Sequence, residues 1–186
     1  VSGWTLSEKG ERMLLGWGNA SYQRGYSIVY MVLAQEAINN FDALTKAEEF
    51  VMLANTYQGD LDKQEELYRE ALKIQPINID AWYGLIQVFN SNQAKTEKEF
   101  YELAEELANN MMPFPLPMYH LTNLIKPKFT SPEYIYKFTL LQSKKLTEAS
   151  VLPNTATDKV LQPSITRVEG NYLLGRFDST IATFSF

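Results

Sequence analysis

The sequence predicts a mainly α-helical protein, an array of about three helical hairpins with a small β element at its carboxyl end. Two observations predict the array: large apolar residues recur at helical spacing, and the whole arrangement is repeated further along the chain. Such apolar stripes are wider than one hairpin can cover, so neighbouring hairpins must stack. A third observation, the β-rich composition of the last residues, predicts two or three strands.

The first two hairpins carry matching apolar stripes. Phe50 opens the first stripe, and Trp82 opens the second one 32 residues later (82 − 50 = 32). The first stripe comprises Phe50, Leu53, Ala54 and Tyr57, followed, beyond a break at Gly59-Asp60, by Tyr68, Ala71, Leu72 and Pro76. The second stripe comprises Trp82, Leu85, Ile86 and Phe89, followed, beyond a polar break, by Tyr101, Ala104 and Leu107. We expect these side chains to form the core.

A third hairpin begins 36 residues after Trp82 (118 − 82 = 36). Its first helix carries the stripe Met118, Leu121, Thr122 and Ile125, and its second helix is expected from Pro132 to about Glu148. Capping signals mark three helix starts, namely the capping boxes Thr45-x-x-Glu48 and Thr96-x-x-Glu99 and the pair Ser131-Pro132. The prolines between Met112 and Glu133 delimit the helix around Met118.

These hairpins resemble the tetratricopeptide repeat, in which an aromatic residue, a leucine, a small residue and a tyrosine precede an alanine, an aromatic, an alanine and a proline. The segment from Asp80 to Leu85 matches the opening of that motif, and the segment from Tyr68 to Pro76 matches its close. The departures are a first hairpin about two residues short, Gln64 in place of an alanine, and Asn109-Asn110 in place of a proline. The resemblance covers about residues 46–148 and implies a stacked array with a concave groove.

Four segments are expected along the chain. Residues 1–44 hold a Gly/Trp-rich segment and a packed helix, and residues 45–149 hold the tetratricopeptide-like array. Residues 150–163 are rich in Thr, Pro and Asn and are expected to form a linker, and residues 164–186 are expected to form strands or the start of another module. Because the chain begins with Val1 and carries no signal segment, we expect it to be a piece of a longer protein.

The composition argues against several classes of function. The 186 residues include 17 basic and 22 acidic ones, mixed along the predicted helices, so nucleic acid is not an expected partner. No apolar run approaches the roughly 20 residues that a membrane-spanning helix needs, so membrane insertion is not expected. The chain has 0 cysteines, which excludes disulfides, thiolate metal sites and cysteine nucleophiles.

We predict no catalytic, cofactor or metal site. His120 is the single histidine, and no Gly-x-Ser-x-Gly motif occurs, so neither a catalytic triad nor a multi-histidine metal site can form. Gly16-Trp17-Gly18 lacks the third glycine of a phosphate-binding loop. Adjacent residues of a helix point about 100° apart. Solvated faces are therefore expected for the adjacent acidic pairs Glu48-Glu49, Glu65-Glu66 and Glu105-Glu106.

The resemblance implies that the first-helix position after each stripe-opening residue lines the concave groove. Val51, Tyr83 and Tyr119 hold this position, and the residues four and seven further on extend the face. The predicted partner-binding groove comprises Asn55, Tyr83, Gln87, Asn90, Tyr119, Asn123 and Lys126. Such side chains are suited to hydrogen bonding with an extended peptide or a glycan, and a plain solvated surface is the alternative. Lys126 alone is too little basic charge for the carboxylate-clamp subtype of these repeats.

A second resemblance concerns Ser2-Gly3-Trp4-Thr5 and Gly16-Trp17-Gly18-Asn19-Ala20, which are similar to the segment that follows transglutaminase-like domains in bacterial cell-surface proteins. It implies an extracellular or cell-surface location, with the cytoplasm as the alternative. The predicted function is that of a non-catalytic interaction or spacer module of a larger protein, binding a protein or peptide or a neighbouring domain of its own chain. The alternatives are an accessory domain that supports a neighbouring catalytic domain, transglutaminase-like or glycan-degrading, and an independent glycan-binding module.

Overall fold

The computed structural model describes residues 41–150, with side chains described from Thr45 onward. This part of the chain contains six α-helices and one 3-10 helix and no strand. The protein is therefore mainly α-helical over the described range, as predicted. The predicted Gly/Trp-rich segment, its following helix, the linker and the β element lie outside the described residues. By compactness the chain divides into residues 1–94 and 95–186, and the described parts of these two units are taken in turn.

The first unit contains three helices: α1 (Phe41–Thr56), α2 (Leu61–Ile74) and α3 (Ile79–Ser91). Helix α2 packs against both of the others, and α1 also contacts α3. The turn after α1 contains Gly59 at φ 90°, a left-handed conformation that glycine adopts without the strain of a Cβ. Asp60 then caps α2 by accepting a hydrogen bond from the backbone nitrogen of Lys63, and Asn78 caps α3 in the same way.

The core of the first unit is centred on Trp82. Its side chain is 1% exposed, and its Nε1 donates a hydrogen bond to the carbonyl oxygen of Pro76 at 2.7 Å. The rest of its predicted stripe on α3, together with the predicted α2 residues Tyr68, Ala71 and Leu72, is also buried. The prediction of the core is therefore confirmed for α3 and for the predicted residues of α2, whereas Pro76, which follows α2, is exposed.

The predicted stripe of α1 is wrong. Leu53 is 43% exposed and Tyr57 is 38% exposed, whereas the buried residues of the helix are Ala47, Val51 and Ala54. With the half-buried Phe50, this set has the spacing of the stripe that Trp82 opens, but it starts at Ala47, 35 residues before Trp82 (82 − 47 = 35). The prediction aligned Phe50 with Trp82 because both are large aromatic residues. The stripe of α1 instead starts with the small residue Ala47, so the predicted stripe began three residues too late.

The predicted capping box at Thr45 and Glu48 is also absent. Helix α1 begins at Phe41, so Thr45 lies inside the helix rather than at its start. The Glu48 carboxylate, which the sequence placed on a solvated face, is half-buried and accepts a hydrogen bond from Nδ2 of Asn78 at 3.1 Å. A contact with α3 thus replaces the local cap.

The second unit contains α4 (Glu97–Met111), α5 (Pro115–Ile125), a 3-10 helix (Lys126–Lys128) and α6 (Pro132–Ser150). Helices α4, α5 and α6 all contact one another. The Thr96 capping box is confirmed, with both of its reciprocal hydrogen bonds to Glu99 present, and α6 begins at Pro132 as predicted. The four stripe residues predicted for α5 are buried. Tyr101, predicted for the core, is only half-buried.

Hydrogen bonds to the Glu97 carboxylate connect the start of α4 to the start of α6. The Glu97 carboxylate accepts hydrogen bonds from the backbone nitrogens and the hydroxyl groups of Thr130 and Ser131, at distances between 2.5 and 3.4 Å. These hydrogen bonds favour the charged carboxylate, with those from the hydroxyl groups of Ser131 and Thr130 foremost, and lower the pKa of Glu97 to about 2. The Glu97 carboxylate therefore fixes Thr130 and Ser131, the two residues that precede α6.

Candidate functional site

A groove of about 500 Å³ lies between α1 and α3, with α2 beneath it. Its walls come from two helices that are not consecutive in the chain. We call it the α1/α3 groove. The residues that line it are Glu48, Val51, Met52 and Asn55 from α1, Tyr68 from α2, and Asp80, Tyr83, Gly84 and Gln87 from α3.

The floor of the groove is the buried ring of Tyr68 lying against Gly84. A Cβ at position 84 would lie 2.3 Å from Cζ and 2.7 Å from the hydroxyl oxygen of Tyr68, so a residue with a side chain would displace the ring. The Tyr68 hydroxyl donates a hydrogen bond to Oδ1 of Asn55 at 2.5 Å. This bond orients the Asn55 carboxamide and leaves its nitrogen, which has no hydrogen-bond partner among the described residues, as a donor for a ligand.

One end of the groove is acidic. Glu48 from α1 and Asp80 from the first turn of α3 both line it, and the other lining residues in the described part of the chain carry no charge. Burial of Glu48 raises the pKa of its carboxyl, the hydrogen bond from Asn78 acts in the opposite direction, and the charge of Asp80 raises it further. Asn78 is itself buried and also caps α3 through Oδ1, so the carboxylate is held against the helix start.

The rim of the groove is apolar, aromatic and amide in character. Tyr83 is 51% exposed although its neighbour Trp82 is buried, because adjacent helix residues point about 100° apart. Met52 is exposed on the facing helix, and Gln87 is exposed one turn beyond Tyr83. An aromatic ring, a flexible thioether and an amide thus surround the opening.

The structure brings together three of the seven predicted site residues: Asn55, Tyr83 and Gln87 line the α1/α3 groove. Asn90 lies on α3 in the same unit, is half-buried, and is not among the lining residues. Tyr119, Asn123 and Lys126 belong to the second unit. A face that continues across both units therefore stays a prediction.

In the second unit, the three predicted residues differ in their surroundings. Oδ1 of Asn123 accepts a hydrogen bond from Nε2 of Gln142 at 2.8 Å, and the same nitrogen donates to the hydroxyl of Thr122 at 2.9 Å. Gln142 is buried, so this contact ties Asn123 to α6. Tyr119 is half-buried and Lys126 is exposed.

Sequence reasoning missed Glu48, Met52 and Asp80. Glu48 and Met52 can be found from the observed stripes, because the residue that directly follows the first residue of each stripe is expected to face the groove. The stripes start at Ala47, Trp82 and Met118, so the residues that follow directly are Glu48, Tyr83 and Tyr119. Four residues further on stand Met52, Gln87 and Asn123, and seven further on stand Asn55, Asn90 and Lys126. The spacing that identifies Glu48 and Met52 was present in the sequence, but starting the first stripe at Phe50 instead of Ala47 shifted the predicted groove residues by three positions. Asp80 had no signal of its own.

Within residues 41–150, no group of three His, Cys, Asp or Glu residues that could hold a metal ion occurs, and no helix is long and apolar enough to cross a membrane. His120 is exposed on α5, with its ring 6.1 Å from that of Tyr119. Comparison with known protein families, with curated proteins and with solved structures finds no match for this chain. Its function is therefore inferred from the residues of the groove.

Proposed function

We propose that this protein is a non-catalytic interaction module of tetratricopeptide-like arrangement that binds an extended peptide segment in the α1/α3 groove. One observation carries the proposal: Asn55, Tyr83 and Gln87, which come from two helices, line a single open cavity of about 500 Å³. A volume of this size is within the usual range of roughly 300–1,000 Å³ for ligand pockets. A groove lined by side chains from successive turns of two helices suits an extended segment.

The side chains of the groove match the needs of a peptide backbone. An extended segment presents N–H and C=O groups that need partners when water is removed. The carboxamides of Asn55 and Gln87 each offer both a donor and an acceptor, and Tyr83 adds an exposed aromatic surface. Because Tyr68 fixes the oxygen of Asn55, part of the site is oriented before the ligand arrives, which lowers the entropy cost of binding.

The repeat spacing supports the tetratricopeptide-like part of the proposal. The apolar stripes of α1, α3 and α5 open at Ala47, Trp82 and Met118, at intervals of 35 (82 − 47) and 36 (118 − 82) residues. Such regular intervals are expected when each hairpin is one unit of a stack. Under this proposal the chain is a module of a larger extracellular or cell-surface protein, and its partner is a protein or a neighbouring domain. A cytoplasmic module is the alternative.

The test is selection of peptides from a random heptapeptide phage library on the 186-residue chain. Peptides enriched on the wild type should lose binding to the Tyr83→Ala, Gln87→Ala variant. Both residues are exposed, so this variant should keep its fold, which circular dichroism checks. Tyr136→Ala is the matched control because Tyr136 is an exposed tyrosine on α6, outside the groove.

Peptides that bind the double variant as well as the wild type would place the site elsewhere and contradict the proposal. A glycan array run in parallel covers the second candidate, which the exposed ring of Tyr83 beside amide groups favours. Enrichment of glycans without peptides, sensitive to Tyr83→Ala, would replace the peptide-binding function by glycan binding. Turnover of a peptide or glycan substrate that is lost in His120→Ala would contradict the non-catalytic assignment.

A further inference from the structure

Helix α6 carries exposed apolar side chains on the side opposite its buried residues. Tyr136 is 66% exposed, and Leu140, one helical turn further on, is 50% exposed. Ser143 and Thr147 continue the same face, because these four positions lie within about 60° of one another around the helix axis. None of the four is charged. We call this face the outer stripe of α6, and an exposed apolar stripe on an otherwise charged helix indicates a contact surface.

Charged residues border the outer stripe on the side of Leu140. Glu133 in the first turn and Lys144 three turns later lie there within about 20° of each other. Glu133 forms an ion pair with Lys137, whereas Lys144 forms none within the described part of the chain. This edge of the stripe therefore has an acidic residue at its start and an available basic residue towards its end.

A second copy of the chain is complementary to this edge. When two identical helices pack antiparallel about a two-fold axis, the same edge of each helix meets in reversed order. Glu133 of either copy then lies beside Lys144 of the other. The apolar residues favour the same register, because the midpoint of positions 136 and 140 is 138 and that of positions 133 and 144 is 138.5. Tyr136 of each copy thus packs on Leu140 of the other while the charges pair.

We propose that two copies of this protein associate through the outer stripe of α6 as an antiparallel, two-fold symmetric pair. Few large apolar residues take part, so the contact belongs to the small, reversible class that buries less than about 1,200 Å² in total. Each copy carries one α1/α3 groove. Under the proposed function, the pair binds a ligand with two suitable segments more tightly than one copy does. The association itself does not depend on peptide binding.

Single cysteines test the arrangement, since the chain has 0 cysteines of its own. In the proposed register, the two copies of position 140 are about 5 Å apart along the helix axis, whereas the two copies of position 147 are about 25 Å apart. Leu140→Cys should therefore form a disulfide-linked dimer under mild oxidation. Thr147→Cys is the matched control, because Thr147 is exposed on the same stripe and should not cross-link. A non-reducing gel measures both.

Charge reversal tests the register in the cysteine-free chain. In sedimentation equilibrium, Glu133→Lys and Lys144→Glu should each dimerise about tenfold more weakly than the wild type, because like charges then meet at two sites. An equimolar mixture of the two variants should recover the dimer, since opposite charges meet again at both sites. Glu49→Lys is the matched control, because Glu49 is exposed on α1 and the change in net charge is the same. Its mixture with Lys144→Glu should show no recovery.

Four results would overturn the proposal. The first is a sedimentation mass that stays at that of one chain up to millimolar concentration. The second is equal cross-linking at positions 140 and 147, which would exclude the antiparallel arrangement. The third is a dimer that both charge variants leave unchanged, which would place the contact elsewhere. The fourth is slow maleimide labelling of Leu140→Cys in dilute solution, which would show that the chain itself covers the stripe. None of these results bears on peptide binding, which the phage selection tests separately.

Discussion

Replacing Trp82 by alanine tests the core and the register of the helices together. The Trp82 side chain is fully enclosed, and replacing such a side chain by alanine costs about 3–5 kcal/mol through lost burial and the cavity left behind. The hydrogen bond from its Nε1 to Pro76 is lost too, but Pro76 is exposed, so water can replace the donor and little is added. We therefore expect a loss of about 4 kcal/mol in the free energy of unfolding.

Urea denaturation followed by circular dichroism measures this loss, and Tyr83→Ala is the control. Tyr83 is the next residue of the same helix, is aromatic, and is half exposed, so its replacement should cost less than about 1 kcal/mol. Both variants replace an aromatic residue of α3 by alanine, so the difference between them reports burial and not helix propensity. A loss below about 1 kcal/mol for Trp82→Ala, or equal losses for both variants, would refute the assigned packing of α3.

Three further predictions concern contacts within each unit. Gly84→Ala should lower the free energy of unfolding by about 1 kcal/mol, since overpacking against Tyr68 outweighs the gain in helix propensity; an unchanged urea midpoint would show that the ring turns aside. Thr96→Ala should cost about 1 kcal/mol by removing the capping box, and an unchanged midpoint would contradict that role. Glu97→Gln should be less stable than the wild type at neutral pH. Because the pKa of Glu97 is lowered from 4.5 to about 2, the stability that its carboxylate contributes is complete above pH 4.5 and is lost as the pH falls towards 2. A difference in melting temperature between the wild type and Glu97→Gln that is the same at all pH values would contradict this role of the carboxylate.

The helices from Trp82 onward could be predicted because local chemistry and burial agree there. Trp82 and Met118 open apolar stripes with unambiguous helical spacing, and Thr96 and Pro132 mark helix starts that use short-range chemistry. In these segments, propensity, capping and burial all favour the same boundaries. The predicted end of the last helix, about Glu148, is within two residues of the observed Ser150.

The first hairpin could not be predicted in its register because its packing depends on small residues. Ala47 and Ala54 contribute little to an apolar stripe in the sequence, but they are completely buried in the structure. The large neighbours Leu53 and Tyr57 dominate the sequence pattern and are exposed. Glu48 was consequently assigned to a solvated face, although its partner Asn78 lies 30 residues away (78 − 48 = 30) and no local pattern predicts that contact.

The groove was found in part by sequence reasoning and in part only by the structure. Tyr83 and Gln87 were identified through their distance from Trp82, whose register was correct. Asn55 was identified from the wrong stripe but lies on the same face of α1, because a shift of three residues nearly equals one helical turn. The floor, formed where Tyr68 meets Gly84, depends on the approach of α2 to α3 and had no sequence signal.

Photo-crosslinking from the rim of the α1/α3 groove tests the central claim most directly. Benzoylphenylalanine replaces Tyr83 in one variant and Tyr136 in the other, two exposed positions of which only the first lines the groove. After illumination with a peptide enriched in the phage selection, mass spectrometry should find the peptide attached at position 83 and not at position 136. Unlabelled peptide in excess should suppress the product. Equal labelling at both positions, or labelling at position 136 alone, would contradict a peptide-binding groove between α1 and α3.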